Sequence, residues 1–375
     1  MTTLFHQIPS LAKAFGKTVG TTAQPAVILA EGAFETPRAK VAHGLVRGTS
    51  RFDVRAVVDS TCAGSDAGVL LDGRARGIRV VADLDRARLL AGDDRRPAAI
   101  LGVAPHGGRL NAELHAELVQ ALRQGFDLVC GLHDFLCDDP VIAPLARRLG
   151  ATLTDVRKPP SHRPLRYWTG EVTDIRATRI AVLGTDCMVG KRTTSRLLVA
   201  ALREAGTSAE MIHTGQTGWM QGGRYGVVLD ALPCDFVAGE VEGAMLACAA
   251  GADPDVMVIE GQSALCNPAA SGAGSRGILI AGDAHAIVLQ HSPTRVYFDG
   301  LEERGFRIPD IADEVSLLER FGRPVAAVTI NTQGMDPASV DAECARLERR
   351  LGRPVVAPLE HGLGRVVEAV RALGA

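Results

Sequence analysis

The chain has 375 residues, 46% of them hydrophobic and 22% charged, with 41 Lys and Arg against 43 Asp and Glu for a formal net charge of −2. This is a globular composition with no electrostatic pull toward nucleic acid or an anionic membrane surface, and the length suits two domains of roughly 150 residues each. Eight cysteines without a C-x-x-C pair fit a reducing cytoplasm, and neither a signal peptide nor a membrane-length apolar run is present, so a soluble cytoplasmic protein is expected.

The first half alternates short apolar runs with helical patterns. PAVILAEG (25–32) is followed by a helical spacing over 36–48, VRAVVDS (54–60) by GIRVVAD (77–83) and a helix over 84–91, PAAILGVAP (97–105) by a helix over 111–124, and FDLVCGLH (126–133) by a helix over 140–149. Buried strands in this alternation predict an α/β domain over residues 1–157, a mainly parallel sheet with helices on both faces. Residues 158–177, rich in Pro and polar groups, read as a linker. A second α/β domain of the same construction spans 178–375, with strands at 178–183, 208–213, 255–260, 285–289, 324–330 and 354–357. Helices are expected over 191–205, 240–250, 310–321, 336–350 and 363–373.

The most telling segment is IAVLGTDCMVGKRTTS (180–195): an apolar strand, Gly184, five residues, Gly190-Lys191, then hydroxyl residues opening a helix. Glycines let backbone N–H groups close on phosphate oxygens, the helix N-terminus adds partial positive charge, and lysine adds a mobile full charge. Gly184, Thr185, Asp186, Gly190, Lys191, Arg192, Thr193 and Thr194 are therefore the candidate cofactor-binding residues. The spacing is one residue longer than the common phosphate-loop pattern, and Arg192 intervenes before Thr193. The five-residue spacing with GTD at its start resembles the loop of dethiobiotin synthetase and its relatives.

Further candidates sit at strand ends. Glu260 closes PDVMVIE and is followed by Gly261, a place from which a carboxylate faces the phosphate site. Gln216 and Thr217 lie between glycines in HTGQTG, where a ligand can approach the backbone. Asp235 lies among the acids of DALPCDFVAGEVEG, His291 ends VLQH, and Asn331 ends AVTIN, either to read a purine or to begin a turn. Arg157 and Lys158 stand at the domain junction, where Arg can grip a carboxylate with two parallel bonds. No metal-ligand spacing of His or Cys and no G-x-S-x-G elbow are present.

Taken together, GLHDFLCDDP (131–140), DVRKPP (155–160), GTDCMVGKRT (184–193), HTGQTG (213–218), LDALPCDFVAGEVE (229–242) and EGQSAL (260–265) resemble the D-glutamate N-acetyltransferase family, formerly known only as a domain of unknown function. The resemblance implies a Rossmann-like N-terminal domain joined to a P-loop C-terminal domain. It also implies acetyl transfer from acetyl-CoA to the amine of D-glutamate or a related amino acid, in D-amino-acid catabolism. On this reading the partners are small molecules, the loop cradles the coenzyme diphosphate, and the protein forms a homo-oligomer. Glu260, Asp235 and His291 are the candidate bases; carboxylates suit that task only where burial raises their pKa, whereas His291 needs no such help. Arg157, Lys158, Gln216 and Thr217 are the candidate acceptor-binding residues. An ATP-dependent ligase or kinase of the dethiobiotin synthetase type is the alternative, with Thr193 and Glu260 holding Mg2+. The chain departs from the family pattern at Ser263, Ala264 and Asn267, where Gly, Ser and His are usual, which bears on the choice of acceptor.

Overall fold

The computed structural model describes residues 23–160, 163–269 and 273–373. Contacts divide it into two compact units: one formed by Phe15–Pro159 with Gln216–Gly222, the other by Pro160–Gly215 with Gly223–Ala375, each taken here over its described residues.

In the first unit, β1 (Gln24–Leu29), β2 (Phe52–Val58), β3 (Arg79–Val81), β4 (Ala98–Leu101), β5 (Asp127–Cys130) and β6 (Leu153–Asp155) form one parallel sheet in the order β3-β2-β1-β4-β5-β6. That is the Rossmann strand order, with its switch point between β1 and β4. Helices α1 (Lys40–Arg47), α2 (Ala67–Asp72), α3 (Leu84–Ala91), α4 (Ala112–Arg123) and α5 (Ile142–Leu149) connect the strands. Their starts follow local chemistry: Asp66, Asp83 and Asn111 each accept N–H bonds from the first turn of the helix that follows, satisfying donors that have no carbonyl one turn below. Strand β4 and residues 25–29 of β1 are apolar and buried, as a sheet covered on both faces requires.

The second unit carries a seven-stranded parallel sheet in the order β13-β12-β11-β7-β10-β8-β9 among the described residues. Its strands are β7 (Thr178–Gly184), β8 (Ala209–His213), β9 (Tyr225–Gly226), β10 (Val256–Glu260), β11 (Ala286–His291), β12 (Val325–Ile330) and β13 (Val355–Val356). The helices are α6 (Lys191–Glu204), α7 (Gln216–Met220), α8 (Cys234–Ala252), α9 (Ala273–Ala281), α10 (Ile311–Arg320), α11 (Val340–Leu351), α12 (Pro358–His361) and α13 (Gly364–Arg371). Of these, α7 belongs to the first unit: Met220 is fully buried in that unit's core cluster, and the Gln221 amide donates to the Gly44 and Gly48 carbonyls. The sequence reading had kept this segment within the P-loop domain.

The stretch read as a linker is a packed arm of the second unit. Two buried glutamates of α8 hold it: Glu240 takes both guanidinium nitrogens of Arg163 at 2.6 and 2.5 Å and the Arg166 N–H at 2.8 Å. Glu242 accepts N–H groups of Thr169, Gly170 and Val172 and the Thr169 hydroxyl. These bonds favour the ionised carboxylate, and both residues titrate below the usual range although burial opposes it. Gly239 and Gly243 leave room for the arm, since a Cβ on either would strike Arg166. Of the linker residues, 161 and 162 lie outside the described residues.

Candidate functional site

The register of the second sheet places the loop after β7 between two polar strand ends. Glu260 pairs with Val182 on one side and Gln290 with Gly184 on the other. The loop runs from Gly184 to Gly190, with Met188 at φ +53° and Gly190 at φ +114°. These left-handed positions fold the chain back, so that α6 begins directly on Lys191. No side chain caps α6, which leaves the first N–H groups of a fourteen-residue helix with its positive end at the loop.

Lys191 is buried, and its ammonium donates to the carbonyls of Asp186 at 2.6 Å and Ser263 at 2.8 Å. Gly184 and Gly261 admit the lysine stem: a Cβ on Gly184 would lie 2.9 Å from Lys191 Cδ, and one on Gly261 would lie 2.3 Å from the Val182 carbonyl. Thr185 fixes the loop's base, donating its N–H to the Gln290 carbonyl, while its hydroxyl lies 3.1 Å from His291 Nδ1. Asp186 is fully buried and shapes the loop from within, accepting bonds from Asn267 Nδ2 at 2.8 Å, Arg295 at 3.0 Å and the Asp299 N–H at 2.8 Å. Thr194 is likewise turned inward, its hydroxyl donating to Gln290 Oε1. Thr193 is half-buried and its hydroxyl has no partner among the described residues, so it is the loop hydroxyl open to a ligand. Arg192, also half-buried, lies close enough to Glu260 to stabilise its charge.

Glu260 is buried at the end of β10. Burial pushes its carboxyl above the ordinary glutamate value, opposed by Arg192, Lys191 and the N–H groups of Thr214 and Gly215. The Thr214 N–H reaches Glu260 Oε2 at 3.1 Å, and the Thr214 hydroxyl donates to the Glu260 carbonyl at 2.7 Å. A carboxylate buried in this way has the raised affinity for a proton that a base for an ammonium needs.

The other two candidate bases sit differently. Asp235 is exposed in the first turn of α8, where a negative charge is favoured by the helix dipole, and it lacks the burial that Glu260 has. His291 is half-buried, and burial lowers its pKa to about 4. The expectation that a histidine needs no help therefore fails: neutral His291 is available at pH 7 but is a weak base. Taking a proton from an amine of pKa about 8 onto a group of pKa about 4 costs about 5 kcal/mol. Asn331 makes the turn foreseen as one alternative, its side-chain oxygen accepting the Gln333 N–H at 3.0 Å.

Arg157, Gln216 and Thr217 fall in the first unit. Arg157 Nη1 bonds the Gly131 carbonyl and, at 2.9 Å, the Gln216 side-chain oxygen, and Thr217 is buried in α7. Lys158 is turned elsewhere, its ammonium 2.8 and 3.0 Å from the Asp138 carboxylate and 2.8 Å from Cys137 Sγ.

The departures from the family pattern have structural counterparts. Ser263 adopts φ +50°, a conformation natural for the usual glycine. Asn267 is buried and donates to the Asp186 carboxylate, so the residue at this position helps to hold the loop from within. Gln290, Asn267 and Arg295 were absent from the sequence-derived site; only the run of polar residues at the end of β11 could have signalled Gln290. Among the described residues no group of three His, Cys, Asp or Glu side chains could hold a metal ion, and no helix is long and apolar enough to cross a membrane.

Two family models match the chain: a "Domain of unknown function (DUF1611_C) P-loop domain" over residues 166–367 and a "Domain of unknown function (DUF1611_N) Rossmann-like domain" over residues 60–159. A D-glutamate N-acetyltransferase from Tritonibacter scottomollicae is 34% identical over 280 residues, covering 73% of this chain and 81% of that protein. Another from a Pseudoalteromonas species is 29% identical over 277 residues, covering 72% and 79%. The crystal structure of a DUF1611 family protein from Anabaena variabilis superposes with a TM-score of 0.83 at 27% identity, covering 93% of this chain and 99% of that one. With a Rossmann-like domain, a P-loop domain and N-acetyltransferases as its relatives, the chain belongs to the DUF1611 family and is an acyltransferase.

Proposed function

We propose that this N-acetyltransferase moves an acetyl group from acetyl-CoA to the amine of D-glutamate or a closely related amino acid, a step in D-amino-acid catabolism. The observation that carries the reading is the uncapped N-terminus of α6 beside the buried Lys191 and the buried, proton-avid Glu260. Amide dipoles and an ammonium at one point suit a diphosphate, which coenzyme A contains, and nothing in that grip requires a phosphate bond to be cleaved. Lys191 would turn from the Asp186 and Ser263 carbonyls to the diphosphate, and the Thr193 hydroxyl would bind it or an accompanying Mg2+.

Glu260 takes the proton that makes the acceptor ammonium an amine. The amine nitrogen then attacks the thioester carbonyl, the C–N bond forms, the C–S bond breaks, and the departing sulfur regains a proton. Arg157 has the planar fork that matches an acceptor carboxylate.

Titration with acetyl-CoA, CoA and ATP plus Mg2+ ranks the loop's ligands, and release of free thiol from acetyl-CoA, assayed over D- and L-amino acids, identifies the acceptor. Acetyl-CoA binding with thiol release dependent on D-glutamate is expected. Tight ATP binding with no CoA signal would falsify the reading in favour of a ligase or kinase.

A further inference from the structure

A cavity of about 180 Å³ opens beyond the C-terminal end of β11, against α11, wholly within the second unit. It is separate from the uncapped helix end, yet two of its lining residues touch the loop. His291 meets the Thr185 hydroxyl, and Arg295 donates to the Cys187 carbonyl at 2.6 Å and to Asp186 at 3.0 Å. A ligand group filling the cavity is thus a close neighbour of one held by the loop.

The cavity is rich in guanidinium groups: Arg295, Arg307, Arg346 and Arg350 all line it. Three are matched by carboxylates. Asp186 takes Arg295, Glu343 takes Arg346 through two bonds of 2.7 Å, and Asp310 takes Arg350 at 2.7 Å. Arg307 has no carboxylate partner among the described residues; its guanidinium lies 5.4 Å from the Tyr297 ring, and a backbone bridge between Tyr297 and Arg307 joins the two loops that carry them. The Arg346 and Arg350 side chains are about half exposed, so their ion pairs are weak and can be exchanged for a stronger anion. Ile308 and Leu347 supply an apolar wall.

We propose that this cavity binds the 3′-phosphorylated ribose of the coenzyme, with Arg307 as the principal ligand of the 3′-phosphate and Arg346 or Arg350 joining it. This inference rests on the coenzyme reading above. The covalent chemistry of coenzyme A supports it: the 3′-phosphate sits on the ribose whose 5′-oxygen carries the diphosphate, so a loop-bound diphosphate delivers a second anion one sugar away. A nucleoside triphosphate has no charge at that position. The volume suits a ring or a phosphate-bearing sugar, not a whole coenzyme, whose pantetheine arm must leave in another direction.

The test is titration of the full chain with CoA and with dephospho-CoA, for wild type, Arg307→Ala and Lys191→Ala. Wild type is expected to prefer CoA by at least about tenfold, the weight of one charge-assisted hydrogen bond. Arg307→Ala should erase most of that preference by weakening CoA while leaving dephospho-CoA within about twofold; Lys191→Ala should weaken both. Equal wild-type affinities, or a preference that survives in Arg307→Ala, overturns the inference and leaves the coenzyme reading standing. A raised KM for the amino acid in Arg307→Ala with unchanged CoA affinity makes the cavity an acceptor site and overturns it equally. Failure of wild type to bind either coenzyme overturns the underlying reading as well.

Discussion

Replacement of Glu260 by Gln separates catalysis from stability in opposite directions. Gln keeps the side chain's shape and can still accept the Thr214 N–H that Glu260 Oε2 receives at 3.1 Å, but it cannot take a proton. Loss of a positioned general base lowers turnover by about 10²- to 10⁴-fold. Coenzyme affinity should move by less than about tenfold, and toward tighter binding, since a negative charge leaves the neighbourhood of Lys191 and Arg192. Stability follows from the direction of the Glu260 shift. Its folded pKa is raised by burial, so the folded protein holds more protons than the unfolded chain, and stability falls as pH rises from the ordinary glutamate value through the folded one. Gln removes that loss, and the variant should melt higher than wild type at pH 8 with the gap closing near pH 4. Thiol release from acetyl-CoA and thermal melts across this pH range read the two effects. Wild-type turnover in Glu260→Gln would refute the base assignment; a melting gap that widens toward acid would refute the claim that burial raises the Glu260 pKa.

Lys191→Ala should weaken coenzyme binding at least about tenfold, the weight of one charge-assisted hydrogen bond, with unchanged circular dichroism; unaltered affinity means that the loop is not the diphosphate cradle. Ser263→Gly should stabilise by about 0.5–1 kcal/mol in chemical denaturation, the left-handed strain relieved less the extra freedom of glycine in the unfolded chain; no gain shows that the Ser263 backbone at φ +50° costs nothing. Glu242→Ala leaves three buried-arm N–H groups without acceptors and should cost about 3 kcal/mol or more. Because the Glu242 carboxyl is held below its ordinary value, its contribution is present above the unfolded pKa and is lost as pH falls through the folded one, so wild type and variant should converge in acid; parallel curves would show that the arm is not held by charge.

The strand-helix alternation and the loop at 184–194 were legible because each has a local signature: a buried strand is a short apolar run, and a phosphate loop is glycine, lysine and hydroxyl at fixed spacing. Helix α8 was placed six residues late, since it is apolar around most of its surface and offers no amphipathic period to find. The role of its interior acids Glu240 and Glu242 carries no local signature, because their partners, the Arg163 guanidinium and main-chain N–H groups of 166–172, are far off in sequence. Helix α7 was missed for a similar reason: five residues carry no periodicity, and what shapes them is Met220 and Gln221 docking on a distant part of the chain. The fates of Asp235 and His291 depended on exposure, which residue type alone does not reveal, whereas Glu260 was marked by its place at the end of an apolar strand.

The return of Gln216–Gly222 to the first unit means that, among the described residues, the polypeptide passes between the two units three times, at 159/160, 215/216 and 222/223. Neither half is therefore a portable cassette. Expression of residues 178–375 alone would strand Met220 in water, forfeiting ~1.5–3 kcal/mol of apolar burial, and would leave the Gln221 amide without the Gly44 and Gly48 carbonyls to which it donates. Gene fusion, splitting or shuffling at the obvious proline-rich junction should yield fragments that misfold or recombine, and such a chain can be inherited only as a whole.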